Sequence, residues 1–377
     1  MNSLPKIFLI GPTAPYRGGI ADTQASFAQA LKKKGVTLTL VNFKKLYPDV
    51  FFPGKSQFRE ENTDHDLPDS IRRLHAYAPI NWIKTAAWIN RHQPDYVIVR
   101  YWTPFLAPCW WGLRFLLNKK TKMIGLVDNW KPHEKKWSDA LLQKIFKNSC
   151  DRFATLSKTV ADQIRQQTNK PVWQGFHPIN SRLPKPIDTQ QARAQLGLPK
   201  DRTIAAFVGL IRPYKGLDFL IHSFAAAHQK APNLYLVVAG ESYTNSAVYK
   251  QLIAELKLQN HVHLNFNFLS DQMLRDYLCA ADFVCQPYQS ATQSGITPLA
   301  YAYQKPLMVS DIDGLKGPIV EDSSGRAVVR EIAEWGNALV DFSKKDALDV
   351  YTKNIQKALP KYQWDHFCEH FLTSLKI

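Results

Sequence analysis

The reading turns on Phe207-Val-Gly-Leu-Ile-Arg-Pro-Tyr-Lys-Gly216, where a buried-strand pattern, Ile204-Ala-Ala-Phe-Val208, runs into a basic turn and then a helical pattern. Gly209 lets backbone approach a ligand closely, Arg212 and Lys215 supply cationic donors, and a helix opening near Gly216 would add the positive end of its dipole. These are the parts of a loop that holds phosphate, and together they suit a diphosphate. Taken alone, the same letters also describe an ordinary strand-to-helix loop with solvated basic residues. The rest of the chain has to decide.

Working outward, 377 residues exceed what one hydrophobic core usually supports, so two domains are expected. With 45% hydrophobic and 21% charged residues the composition is globular. No apolar run approaches the ~20 residues that span a bilayer. Ile7-Phe-Leu-Ile10 is only strand length before Gly11-Pro12, so no signal peptide is read and a cytoplasmic location is expected. Cys109, Cys150, Cys279, Cys285 and Cys368 show neither a Cys-x-x-Cys pair nor a histidine at metal-ligand spacing, and are read as small core residues. The net charge of +16 is uneven: residues 1–180 hold 27 Lys and Arg against 13 Asp and Glu, whereas the remainder holds 21 against 19. A basic first half attracts nucleic acid, anionic lipid or an acidic substrate, and also serves solubility.

Upstream, residues 6–10 read as a strand, then Gly11 to Gly19 as a loop, a helix to about Lys34, and a strand at Val36–Val41. Gly11, Gly18 and Gly19 do not make the dinucleotide fingerprint, and the second strand ends in Asn42 where an acidic ribose ligand would stand, which argues against a nicotinamide dehydrogenase. Residues 44–80 read as an irregular excursion. A helix at 80–92 and a strand at 95–100 lead into Tyr101-Trp-Thr-Pro-Phe-Leu-Ala-Pro-Cys-Trp-Trp-Gly-Leu-Arg-Phe-Leu-Leu117. Its aromatics are the core face of a helix or a surface for lipid headgroups, the core face being the commoner case. The strand Lys122–Val127 ends in Asp128-Asn-Trp-Lys-Pro-His-Glu134, so His133 lies beyond a strand's carboxyl end, where open α/β sheets bind ligands. Strands near 151–156 and 171–175 complete the first half. His177 to Pro186, with three prolines in ten residues, reads as a linker.

Downstream, strands near 203–209, 234–240, 261–266, 281–286 and 306–310 alternate with helical stretches, which means a second parallel sheet. The strand at 234–239 ends in Gly240-Glu241, and the strand at 281–286 runs into Pro287-Tyr-Gln-Ser-Ala-Thr-Gln-Ser-Gly295 before a helix at 296–303. A Ser/Thr/Gly turn is most often a helix cap. Beside Arg212 and Lys215 it becomes a second anion-favouring loop.

Phe207 to Gly216, Ala281-Asp282, Pro287-Tyr288, Thr292-Gln-Ser-Gly295 and Lys305-Pro306 together resemble the C-terminal half of retaining GT-B glycosyltransferases. The family is the large one, glycosyl transferases group 1, that includes sucrose synthases and bacterial polysaccharide mannosyltransferases. Arg17-Gly-Gly19 and Asp128-Asn-x-x-Pro-His-Glu134 resemble its N-terminal segments, with Asp128 standing in place of a histidine. The resemblance spans essentially the whole chain. It implies an α/β GT-B fold, with two doubly wound, Rossmann-like parallel-sheet domains facing a cleft and a C-terminal helix crossing back to the first. The implied boundaries are 1–178 for an acceptor-binding domain, 179–360 for a nucleotide-sugar-binding domain and 361–377 for the returning helix. The resemblance further implies Arg212, Lys215 and His133 as catalytic groups. Gly209, Gly240, Glu241, Phe268, Leu269, Thr292, Gln293, Ser294, Gly295 and Ile296 would bind the donor. Arg17, Gly18, Gly19 and Glu134 would lie on the acceptor side.

The implied activity is retaining, metal-independent transfer of a hexose from a nucleoside diphosphate sugar to a glycan or lipid-linked acceptor, in bacterial polysaccharide or glycoconjugate biosynthesis. No cofactor and no nucleic acid are expected. An anionic membrane surface is a candidate partner for the basic first half, which would make the protein peripheral on the inner face of the plasma membrane. One departure matters: many members carry a pair of glutamates where this chain has Ala291 and Leu299, and neither can accept hydrogen bonds as a carboxylate does. Gln293, Ser294 and the backbone around Gly295 and Ile296 are the expected substitutes. Asp311-Ile-Asp313 is read as a loop and not as a metal site. Two other readings stay open, a nucleotide-sugar epimerase of the same fold and a non-catalytic nucleotide-sugar-binding member of a membrane-associated assembly.

Overall fold

The computed structural model describes residues 4–16, 18–47, 58, 69–130, 137–180 and 182–375. It divides into two compact units, Met1–Ser181 with Gln363–Ile377, and Arg182–Tyr362.

The first unit is built on seven parallel strands: β1 Lys6–Ile10, β2 Thr37–Lys45, β3 Ile71–His75, β4 Tyr96–Tyr101, β5 Lys122–Val127, β6 Arg152–Thr155 and β7 Val172–Gln174. They lie in the order β3-β2-β1-β4-β5-β6-β7. Successive side chains of a strand point to opposite faces, and β1 uses both. Phe8 and Ile10 join one buried cluster with Val97, Val99, Trp110 and Phe146. Ile7 and Leu9 join the other, with Phe27, Leu31, Ile98 and Ile124. A strand buried on both faces reads as a continuous apolar run, which is why these short segments were visible in the sequence. The helices of this unit begin with α1 Gly19–Lys33, α2 Pro79–His92, α3 Ala107–Leu116, α4 Asp139–Ser149 and α5 Lys158–Arg165.

The second unit repeats the plan with β8 Thr203–Val208, β9 Leu234–Ala239, β10 Val262–Asn265, β11 Phe283–Gln286, β12 Leu307–Ser310 and β13 Gly325–Val328. The order is β10-β9-β8-β11-β12-β13, all parallel. Its helices are α6 Thr189–Leu196, α7 Leu217–His228, α8 Ala247–Glu255, α9 Asp271–Ala280, α10 Ile296–Ala302, α11 Asp313–Glu321, α12 Ile332–Phe342 and α13 Lys345–Ala358. Local signals set several of their ends. Asp188 accepts from the amides of Gln190 and Gln191 to cap α6, which stops at Gly197 in the left-handed region. Ser270 caps α9 in the same way through Met273 N.

The last helix, α14 Trp364–Leu375, belongs to the first unit. Phe367 and Phe371 meet Phe27 edge to face at 5.5 and 5.4 Å, Trp173 packs on both, and Tyr96 donates to Leu375 O at 3.0 Å. The charged pair Lys33 and Asp365 lies at its rim.

Two elements correct the sequence reading. The stretch 44–80, expected to be irregular, contains β3, which pairs with β2 from Val41↔Ile71 to Lys45↔His75 and forms the sheet edge. Its sequence, Ile-Arg-Arg-Leu-His, has only one fully buried residue and so carried no apolar signal. The strand near 306–310 is not the last, because β13 lies beyond it. All five cysteines are buried.

Because α14 fills one face of the first unit's core, Phe367→Ala is expected to cost about 3–5 kcal/mol of stability. Urea unfolding of that unit's transition measures it, and a loss under about 1 kcal/mol would contradict the packing described.

Candidate functional site

In an open α/β sheet, ligands bind outside the carboxyl ends of the strands, where neighbouring strands send their connections in opposite directions. In the second unit that point lies between β8 and β11. The loops that follow these two strands are 209–216 and 287–295.

Gly209 follows β8 with φ of +105°, and Gly240 follows β9 with φ of +150°. A Cβ on Gly240 would lie 2.0 Å from Gly209 O, so only glycine fits that contact. Backbone bonds extend the pairing past the strands: Gly209 N to Ala239 O at 2.9 Å, Ile211 N to Glu241 O at 2.9 Å and Tyr243 N to Ile211 O at 3.1 Å. A 3₁₀ turn over Pro213–Lys215 then leads through Gly216 into α7. The sequence expected a helix near Gly216, and the extra turn ahead of it sets where Lys215 points.

Lys215 Nζ lies 5.2 Å from the Tyr288 ring centroid, and a Cβ on Gly209 would be 3.8 Å from it. Burial pulls the Lys215 pKa below its ordinary value; Tyr214 opposes this and the nearby charge of Arg212 adds to it. The Arg212 guanidinium stands 4.9 Å over the Tyr243 ring. Among the ion pairs of the described residues, none involves Arg212 or Lys215. By contrast Arg193, a structural arginine of this unit, donates to Ala280 O, Lys200 O, Arg202 O and the Asp282 carboxylate.

The second loop is tied to the first. Gln289 N donates to Tyr214 O at 2.8 Å, and Ile296 Cδ1 would be 2.9 Å from a Cβ on Gly209. Ser294 Oγ accepts from Ile296 N at 3.2 Å and hydrogen-bonds the Tyr288 phenol, whose pKa burial pushes up to about 12. Beneath it Gln286 is fully buried: its Oε1 accepts from Thr297 Oγ1 at 3.3 Å, while its Nε2 has no partner among the described residues. A buried donor without a partner is costly and suits a bound polar group or water. Thr292 is buried, Gln293 half-buried and Gly295 exposed. Ala291 O lies against α11, 1.9 Å from where a Cβ on Gly314 would be.

Glu241 is half-buried at the end of β9, its Oε2 accepting from Tyr243 Oη at 3.4 Å. Phe268 is exposed and Leu269 half-buried in the loop after β10, which Asn265 shapes by accepting from Asn267 N at 3.1 Å. Asp282 has a structural role, accepting from Ile204 N at 2.6 Å and from Arg193. Asp311 and Asp313 both pair with Lys316, and Asp313 opens α11, so that stretch is part loop and part helix start.

In the first unit the equivalent switch point lies between β1 and β4. Gly18 and Gly19 follow β1 there, with no atom near the Cβ either would carry. Arg17, His133 and Glu134 lie outside the described residues. Asp128, which stands in place of the histidine of the family segment, is buried in a two-pronged ion pair with Arg100, Nε to Oδ2 being 2.6 Å. Arg100 also donates to Gln24, and burial lowers the pKa of the neighbouring His177, with Asp128 opposing. Sequence reasoning missed this cluster, though an arginine ending a buried strand was its signal.

The comparisons agree with this geometry. The model for glycosyl transferases group 1 matches residues 188–358, and that for glycosyltransferase family 4 matches residues 17–172. The D-inositol 3-phosphate glycosyltransferase of Mycolicibacterium paratuberculosis is 27% identical over 198 residues, which is 51% of this chain and 44% of that protein. The chain thus spans less than half the length of that curated relative. Sucrose-phosphate synthase from Thermosynechococcus elongatus superimposes with a TM-score of 0.74 at 17% identity, covering 99% of this chain and 98% of the other. Anabaena HepE in complex with UDP gives 0.73 at 14% identity, covering 98% and 99%. These likenesses show the GT-B fold.

Gly240→Ala should destabilise the second unit by about 2 kcal/mol or more, and Gly295→Ala by less than about 0.5 kcal/mol. Thermal or chemical unfolding of both variants checks this contrast, and equal effects would contradict the close loop contact. The group 1 glycosyltransferase model thus falls on the second unit, whose sheet carries the two loops at its switch point, and the family 4 model falls on the first.

Proposed function

We propose that the protein is a retaining, metal-independent glycosyltransferase that moves a hexose from a nucleoside diphosphate sugar to a glycan or lipid-linked acceptor. The observation that carries this reading is the pair Arg212 and Lys215, two cations at a topological switch point with no carboxylate partner among the described residues. Such an arrangement is costly without an anion and favourable with one. The named complex of HepE with UDP supports a nucleotide as that anion.

When the bond from the anomeric carbon to the leaving phosphate breaks, negative charge grows on the β-phosphate. Arg212 can bind two of its oxygens at once, while Lys215 acts as a point charge in a poorly solvated position. Both interactions are stronger in the transition state than in the ground state, which is what lowers the barrier. In this reading the acceptor attacks the face that the phosphate leaves, and the departing phosphate takes the acceptor proton. No carboxylate nucleophile is then required, which accommodates Ala291 and Leu299. Ser294, Gln293 and the amides near Gly295 and Ile296 hold the sugar, with Thr292 and Gly209 lining the phosphate and Glu241, Phe268 and Leu269 on the nucleoside side. Gly18 and Gly19, with Arg17, His133 and Glu134, serve the acceptor side.

A binding-only member is the second reading, and it rests on the missing carboxylates at Ala291 and Leu299. Release of nucleoside diphosphate from a panel of UDP-, GDP- and ADP-linked hexoses, with sugar acceptors present, separates the two. Turnover of at least one donor is expected, lowered about 100-fold or more by Arg212→Ala and by Lys215→Ala with the melting temperature unchanged. Near-normal rates in both variants would sink the assignment, and binding of a donor with no turnover would select the second reading.

A further inference from the structure

We propose that the outer face of α2, α3 and α4 is a docking surface for an anionic phospholipid bilayer. The three helices lie side by side on one face of the first unit's sheet. Their inner sides already supply what packing needs: Trp82 and Trp88 from α2, Trp110 and Leu113 from α3, and Ile145 and Phe146 from α4 all join the same buried cluster. The sequence offered two readings of the aromatic stretch 101–117, core or lipid contact. The helix divides it between them, with Trp110 wholly buried while Trp111 and Phe115, one and five positions on, face outward.

The outward set is large and apolar. Phe115 is 80% exposed, Ile80 72%, Leu141 61%, Ile83 55% and Trp111 53%. Trp111 and Phe115 stack at 6.1 Å, one helical turn apart. Trp137, just ahead of α4, is 95% exposed. Isolated exposed apolar residues need no explanation, but five on one layer of helices, with a sixth just ahead of α4, do.

Charge decides the occupant. Lys84 and Arg91 on α2, Lys119 and Lys120 directly after α3, and Lys144 on α4 are exposed, and the only acidic residue on the three helices is Asp139. Two copies of so basic a face would repel one another, which argues against self-association through it. Exposed aromatic and aliphatic side chains on helices that also carry exposed lysines and an arginine suit the headgroup boundary of an anionic bilayer, where rings enter the interface and each cation strengthens partition about fivefold.

The test is co-sedimentation with vesicles of equimolar phosphatidylcholine and phosphatidylglycerol, compared with phosphatidylcholine alone, for wild type, Trp111→Ser/Phe115→Ser and Lys119→Glu/Lys120→Glu. The wild-type chain is expected to bind the mixed vesicles and to release in high salt. Each double variant should partition about tenfold or more weakly, with an unchanged melting temperature because all four side chains are exposed. Three results would overturn the proposal: failure to bind either vesicle, equal binding by wild type and variants, or a vesicle-independent dimer that light scattering shows to be abolished in Trp111→Ser/Phe115→Ser. The last result would assign the face to a second copy of the chain.

Discussion

Neighbouring parallel strands whose connections leave in opposite directions cannot close the crevice above their own ends, and β8 and β11 are such a pair. Everything at the candidate site follows from that constraint. The chain reaches the crevice twice, once after Val208 and once after Gln286, and each time it must turn within a few residues. Glycines at 209 and 240 let the backbones of the first loop and its β9 neighbour touch, and Ile296 fills the space beside Gly209. The loops are thereby packed features of the sheet, and their polar groups are held before any ligand arrives.

The buried and half-buried arginines and lysines of the two units differ in how they are compensated. Arg193 and Arg100 are nearly inaccessible and are fully engaged, the first by three carbonyls and Asp282, the second by Asp128 and Gln24. Removing a partner from such a pair leaves a buried charge and is strongly destabilising. Among the described residues Arg212 and Lys215 have no such partners and lean instead on the faces of Tyr243 and Tyr288, which offer weaker compensation. Two cations uncompensated among the described residues, where other interior cations are paired, cost stability at this point, as sites of chemistry commonly do. The amide of Gln286 beneath the second loop, without a partner among the described residues, follows the same pattern.

Much of the fold was legible because parallel strands buried on both faces are runs of apolar residues, as in β1, β4 and β8. Edge strands lack that signature: β3 has two arginines and a histidine in five residues, and β13 is Gly-Arg-Ala-Val. The two strand-end loops of the candidate site were legible through glycine and cation spacing after a strand. What the letters could not convey was contact between distant segments. Asp128 reads only as a substitute for a motif histidine, and its pairing with Arg100, 28 residues earlier, is not visible in the letters. Nor could the aromatic stretch be assigned to core or surface, since the outcome depends on a helical phase that puts Trp110 inward and Trp111 outward.

The central claim is that Arg212 and Lys215 form a diphosphate site. Calorimetric titration of the wild-type chain with the mono- and diphosphates of uridine, guanosine and adenosine tests it most directly. For the preferred base, the diphosphate should bind at least about tenfold more tightly than the monophosphate, because its β-phosphate meets both cations. Equal affinity for the two would mean that the second phosphate finds no site, and would contradict the account.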